Sequence, residues 1–253
     1  MKYLSILLIL IINQASWAQE YEFIGLIMVN DTIPITYRLN FEVKDNIVTG
    51  TSLSDEQGNY ETKSIIKGTY IDHLFSFKET ETLYTKASFE NLDFCYISFN
   101  GDVKLNKKSP LIEGEFKGLF SDNVPCLNGS IKLRSLTEIT KKQDKIFKKI
   151  EKSKRIQKIL NEQGIKLPKK MISKEHVNLI TKNQNTGVFW KGETLKMEIW
   201  DNGKIDGDII DVFVDGKMIL KNYQISTHVK TITLPLVKKQ TEIKIISKVK
   251  LQL

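Results

Sequence analysis

Five aspartates, Asp201, Asp206, Asp208, Asp211 and Asp215, crowd into the short stretch WDNGKIDGDIIDVFVDG of a basic protein of net charge +8. Clustered carboxylates with an amide among them are the donors of calcium sites, where the ion takes about six to eight oxygens. Asp201, Asn202, Asp206 and Asp208 can supply several from one loop, with Asp211 joining if the chain folds back. The spacing departs from the EF-hand order of acidic positions, central glycine and closing glutamate. Asp-Asn-Gly and Asp-Gly are also strong turn formers, because glycine and asparagine tolerate positive φ and aspartate bonds its own backbone. The reading favours turns, with calcium as the candidate ion and no other cofactor indicated.

A second carboxylate pair, Glu79 and Glu81, shares strand parity with Phe75 and Phe77. If the strand ran straight on, both would face inward, and a like-charged pair could raise one pKa for acid/base work. The stretch KETET is read instead as the wet end of a strand followed by a turn. His73, His176 and His228 are far apart in sequence, and none belongs to a zinc-protease helix motif. Neither a nucleophile elbow nor a phosphate- or dinucleotide-binding loop is present. Cys95, set in DFCYI, has no adjacent histidine to activate it as a nucleophile. The expectation is a non-enzymatic protein.

What carries these residues begins with a leader. Met1-Lys2 is a short positive start, LSILLILII from Leu4 to Ile12 an apolar run, and Ser16-Trp17-Ala18 a cleavage site. This reads as a signal peptide over residues 1–18, cleaved after Ala18, and implies a periplasmic, extracellular or cell-surface product. The apolar run is shorter than the roughly 20 residues a spanning helix needs, and no later segment reaches that length. Charge then divides the remainder: residues 19–135 carry a net −5, 136–172 a net +8 and 173–253 a net +4. Two modules on a charged connector are expected.

Residues 19–135 alternate at period two. In ITYRLNFEV, Ile35, Tyr37, Leu39, Phe41 and Val43 interleave with polar residues, the pattern of a strand with one buried face. Strands are expected near 21–30, 34–43, 46–54, 61–70, 73–79, 82–89, 92–99, 111–119 and 127–134, parted by turn pairs such as Asp45-Asn46, Gly58-Asn59, Asn100-Gly101 and Asp122-Asn123. Short connections imply antiparallel neighbours, so an up-and-down barrel leads and a sandwich is the alternative. Cys95 and Cys126 are the only cysteines. In an oxidising compartment they are expected to form a disulfide, with two buried thiols as the other reading.

The run from GTSLSDEQGNY through FCYISFNG to CLNGSIKL resembles exported all-β modules of Gram-negative bacteria with the strand order of lipocalin-like (calycin) barrels. The resemblance implies an interior that can take a small apolar ligand; a binding barrel of this kind, for an apolar or glycan ligand, would have Tyr37, Leu39, Phe41, Phe75 and Phe77 as its candidate pocket.

In the connector, Ser135-Leu136-Thr137-Glu138 fits a capping box, and Ile139, Ile146, Phe147, Ile150, Ile156, Ile159 and Leu160 recur at helical spacing up to Gly164 and Pro168. One basic amphipathic helix of about seven turns is expected, read first as a solvated spacer and second as an adhesive surface. Nucleic acid is not expected as a partner of an exported protein.

Residues 173–253 are again β-rich, with strands expected near 176–182, 194–200, 208–214, 217–221, 229–236 and 241–252 and a hairpin at Asp215-Gly216. A small immunoglobulin-like sandwich is the expected architecture. The core W-D-N-G-x-x-D-G-D-x-I resembles a small C-terminal β module of exported bacterial proteins, some attached to the cell envelope. The resemblance implies a further loop and strand after IKII, where SKVKLQL stops, so the module is read as truncated.

Together these observations describe an all-β protein with one helical connector, expected to act as an envelope or surface structural protein contacting an envelope component, a protein or a glycan surface. The alternative is a ligand-binding barrel.

Overall fold

The computed structural model describes residues 19–87, 93–164, 178–201 and 207–248. The leader at 1–18, the stop at Pro168, His176, Asn202, Asp206 and the last residues of the chain lie outside the described residues.

Alternation becomes a closed sheet. Eight strands follow in order: β1 (Gln19–Val29), β2 (Ile33–Lys44), β3 (Ile47–Ser54), β4 (Thr62–Ile71), β5 (Leu74–Thr85), β6 (Tyr96–Asp102), β7 (Leu111–Leu119) and β8 (Pro125–Ser135). Each pairs antiparallel with the next, and β1 closes on β8 through Phe23↔Ser135 to Val29↔Gly129. The sheet is therefore an up-and-down barrel, and the sandwich alternative for this half falls away. Closure gives each of the eight strands a paired neighbour on both sides, and eight strands give an interior just wide enough to be filled by side chains.

The turns follow from residue type. Asp45 and Asn46 take φ of 51° and 65°, and Asp72 and His73 take 48° and 72°, so both hairpins use the left-handed pair that matches strand twist. Asn100-Gly101, expected as a turn, lies inside β6, where Phe75 pairs with Gly101. Glycine is needed there because a Cβ would stand 2.7 Å from Phe99 Cζ.

Inward residues form one core: Phe23, Ile27, Tyr37, Leu39, Phe41, Val48, Ile66, Phe75, Phe77, Phe99, Ile112, Phe116, Ile131 and Leu133 among them. Burying each large apolar side chain stabilises the barrel by about 1.5 to 3 kcal/mol. The disulfide expected between Cys95 and Cys126 is present, with Cα atoms 6.0 Å apart. It spans β7 at Gly118, where a Cβ would sit 2.6 Å from Cys95 Sγ.

Two expected strands, 73–79 and 82–89, are instead the single strand β5, whose register against β4 shifts twice. The expected single long helix is also two: α1 (Leu136–Lys152) and α2 (Lys154–Glu162). The chain is extended at Ser153, whose hydroxyl accepts from Ile156 N–H at 3.4 Å and starts α2 afresh. At the start of α1 the capping box does not form. Ser135 ends β8 and makes no side-chain cap, while Glu138 turns to Ser109 and Lys142.

The chain divides into two compact units, with the boundary in sequence between Phe189 and Trp190. The expected strand at 176–182 is absent among its described residues. Instead β9 (Gly187–Val188) pairs with Thr85 and Tyr84 of β5 and adds to the barrel sheet. The second unit holds a two-stranded sheet, β10 (Thr194–Ile199) with β13 (Lys230–Pro235), and a three-stranded sheet ordered β12 (Lys217–Gln224), β11 (Ile209–Val214), β14 (Ile243–Lys248). Ile210, Val212 and Leu234 are its buried apolar residues.

Candidate functional site

The barrel interior changes character along β5. Phe75 and Phe77 face inward in the aromatic half, where Phe41 and Phe75 stack at 4.9 Å and Phe77 and Phe99 at 5.9 Å between centroids. All five residues of the expected ligand pocket are buried: Tyr37, Leu39 and Phe75 fully, Phe77 and Phe41 nearly so. Phe41, Phe75 and Phe77 pack ring to ring with Phe99 in this half, while Tyr37 turns its hydroxyl to Glu79.

Glu79 continues the inward row. Its Oε1 accepts from Tyr37 O–H at 2.7 Å and Ser52 O–H at 2.5 Å, and its Oε2 accepts from Ile97 N–H at 2.8 Å. The last contact has a backbone origin. The β5–β6 ladder ends at Lys78↔Ser98, and the carboxylate takes the next inward amide that a strand carbonyl would otherwise hold. Burial pushes Glu79 above the ordinary carboxylate range, while its three donors pull it back; burial and the neighbouring carboxylate push Tyr37 well up.

Glu81 does not join it. Ile66 pairs with Glu79 but Ile65 with Glu81, so Thr80 is one extra residue, a bulge that restarts the alternation and brings Thr82 inward. KETET is thus neither a strand end nor a turn, and of the two carboxylates Glu79 alone enters the barrel. Thr82 Oγ1 is buried without a partner among the described residues.

Two further buried polar groups were not flagged by sequence. Arg38 lies on the outer face of β2 yet is only 3% exposed. Its Nη1 donates to Glu22 at 2.8 Å, and its Nε and Nη2 grip Glu56 at 3.2 and 2.8 Å. Glu61 and Lys86 form a buried ion pair at 3.2 Å, with Tyr84 O–H donating to Glu61 at 3.0 Å and Gln57 N–H at 2.6 Å. Burial first, and then Glu61, push Tyr84 upward. Lys86 Nζ also donates to the Leu179 carbonyl at 2.9 Å, and Phe189 N–H to the Leu83 carbonyl, so this cluster clasps the 178–189 segment to the barrel. Each of these residues looks like ordinary strand-surface polarity, and only the fold reveals its burial.

Beside that clasp lies an open polar concavity of about 430 Å³, lined by Asn59, Lys86, Ala87, Thr181, Lys182, Asn183, Gln184 and Asn185. A second space of about 20 Å³, room for a single water, adjoins Arg38, Asn40, Thr51, Ser52, Leu53 and Lys63. Neither brings substrate-sized space to Glu79, whose role in this geometry is to satisfy buried donors.

In the second unit the described aspartates are spread over several structural tasks. Asp201 N–H donates to the Ser226 carbonyl, and the Asp208 carbonyl accepts from Ile225 N–H. Asp211 is buried on β11, accepting from Asn222 N–H at 2.7 Å and from Lys248 at 2.6 Å. These two donors, the amide first, hold its pKa below the usual range. The Asn222 amide reaches it because β12 carries an extra residue opposite Ile210–Val212. Asp215 begins the expected hairpin with Gly216 and accepts from Glu242 N–H at 2.9 Å and Lys238 at 3.0 Å, which likewise lower its pKa. Among the described residues no group of three or more His, Cys, Asp or Glu side chains is arranged to hold a metal ion. His73 sits in the β4–β5 turn against Tyr70 O–H, and His228 is exposed.

Comparison with protein-family models, with curated proteins and with solved structures found no match.

Proposed function

We propose that this chain is an exported, non-enzymatic protein of the cell envelope or cell surface, in which the barrel is a scaffold and outer surfaces make the contacts. In this reading residues 1–18 are a signal peptide removed after Ala18, and the strand at Gln19 begins the mature chain. The Cys95–Cys126 bridge suits an oxidising compartment. The barrel is lipocalin-like in strand order, and the second unit is an immunoglobulin-like sandwich related to the W-D-N-G module of envelope proteins.

The observation that carries the reading is the filled barrel: Phe23, Phe41, Phe75, Phe77, Phe99 and Phe116 occupy the space in which a ligand-carrying barrel holds its cargo. The aspartates are assigned to turns and strand junctions, so adding a chelator leaves the unfolding midpoint of the second unit unchanged.

A specific observation favours a second reading, a small-ligand binder. The amides, hydroxyl and lysines of the concavity at Asn59, Lys86 and Thr181–Asn185 suit a hydroxyl-rich glycan better than an apolar molecule. One experiment separates the two: fractionation of the producing cells followed by native mass spectrometry of the recovered protein. The scaffold reading expects envelope association and the bare mass of the disulfide-bonded chain. A stoichiometric small molecule retained on the protein overturns it.

A further inference from the structure

We infer that the α1–α2 helices form a landing surface for an anionic phospholipid bilayer, an assignment that rests on the envelope-associated reading and names its partner. Between Leu136 and Gly164 the chain carries nine basic residues against four acidic ones. At 3.6 residues per turn, Ile139, Ile146, Phe147 and Ile150 of α1 fall within about a 100° arc, and the six lysines of α1 lie across the opposite side. In α2 the same division recurs, with Ile156, Ile159 and Leu160 on one side and Lys154, Arg155 and Lys158 on the other.

The apolar stripe is not used up by the barrel. Leu136, in the first turn of α1, is the buried residue of the two helices. Further along, Ile146 is 56% exposed, Ile156 39% and Ile159 43%. A solvated spacer has no use for three open isoleucines on the apolar sides of its helices.

Charge decides what covers them. A second copy covering the stripe would leave the excess of basic charge, nine cations against four anions, unmatched. A polyanion alone would use the lysines and leave the isoleucines in water. An anionic membrane surface takes both, with the stripe at the acyl boundary and the lysine stems reaching back along it to the phosphates. No helix among the described residues is long and apolar enough to cross a bilayer, so the helices lie on the surface.

The test uses the chain from Gln19 onward, since the apolar leader would bind lipid by itself, and vesicles of phosphatidylglycerol mixed with phosphatidylcholine or of phosphatidylcholine alone. Co-sedimentation is expected with the anionic vesicles and not with the neutral ones, and to weaken as salt shortens the screening length. Exchanging Lys145, Lys148, Lys149 and Lys152 for glutamine lowers affinity at least about tenfold. The pair Ile146→Asp and Ile159→Asp abolishes it, with far-UV circular dichroism and the disulfide unchanged. Equal binding to both vesicle types, no binding to the anionic ones, or full binding by the isoleucine variant overturns the inference. If the protein still fractionates with envelopes while failing on vesicles, the lipid assignment alone falls and the envelope reading stands.

Discussion

Tyr37→Phe isolates Glu79, the carboxylate that faces into the barrel. Tyr37 is fully buried and its O–H donates to Glu79 Oε1 at 2.7 Å; the substitution deletes that donor and keeps the ring. Glu79 then retains Ser52 O–H and Ile97 N–H. A hydrogen bond to a charged group is worth about 1.5 to 3 kcal/mol and one between neutral groups about 0.5 to 1.5. The variant is therefore expected to lose about 2 kcal/mol where Glu79 is ionised and about 1 where it is protonated. The sign of the pH dependence follows from burial, which raises the folded-state pKa of Glu79 above the unfolded one. The folded protein holds that proton more tightly, so the carboxylate's contribution is most favourable below the unfolded value and declines as pH climbs through the folded value. Removing a donor to the ionised form raises the folded value further and extends the decline to higher pH. Urea unfolding of both proteins at about pH 5 and about pH 8 reads this directly as a difference that grows with pH. In a Glu79→Gln background the growth disappears. A loss that is the same at both pH values, or that persists in its pH dependence without the carboxylate, refutes the account of Glu79.

Three other expectations rest on single contacts. Replacing Cys95 and Cys126 by alanine opens a loop of sequence separation 31 and lowers the urea midpoint of the barrel by an amount equivalent to about 3 to 4 kcal/mol in the chain-entropy model. Lys86→Met leaves Glu61 buried without its cation and costs about 3 to 5 kcal/mol; because Lys86 also holds Leu179, limited proteolysis should first cut within 178–189. Gly118→Ala drives a methyl against Cys95 Sγ and the Leu127 carbonyl, 2.6 and 2.7 Å from its Cβ, so the variant should unfold at lower urea than the native chain when both are oxidised, and by a smaller margin when both are reduced.

Strand alternation was legible because a barrel wall is buried on one face only, as in β2, where Tyr37, Leu39 and Phe41 are buried at every second position. It failed where one residue was added. KETET reads as a strand end because nothing local states that a glutamate is inside; the three donors that make Glu79 tolerable come from β2, β3 and β6, at Tyr37, Ser52 and Ile97. Asn100-Gly101 reads as a turn by composition, yet its glycine answers a packing demand from the Phe99 ring. The break at Ser153 was invisible for a similar reason, since the apolar stripe continues on either side while the serine interrupts only the backbone. Local pattern thus fixed which faces are buried, whereas the polar interior depended on partners far away in the chain.

The bulge at Thr80 decides how much charge the barrel interior holds. Strict alternation from Phe75 would bring Glu81 into the barrel after Glu79, placing two carboxylates in a space with donors for one. An ion stripped of water costs several kcal/mol even after relaxation, and a second like charge beside it adds repulsion. One extra residue turns Glu81 outward and brings in Thr82, a neutral hydroxyl opposite Ser64. The same shift leaves β5 running to Thr85, beyond the start of β6, where Tyr84 and Thr85 pair with β9 and Lys86 reaches Glu61 and Leu179. A local irregularity in β5 therefore limits the charge of the interior and is followed by the stretch on which the clasp and the polar concavity are built.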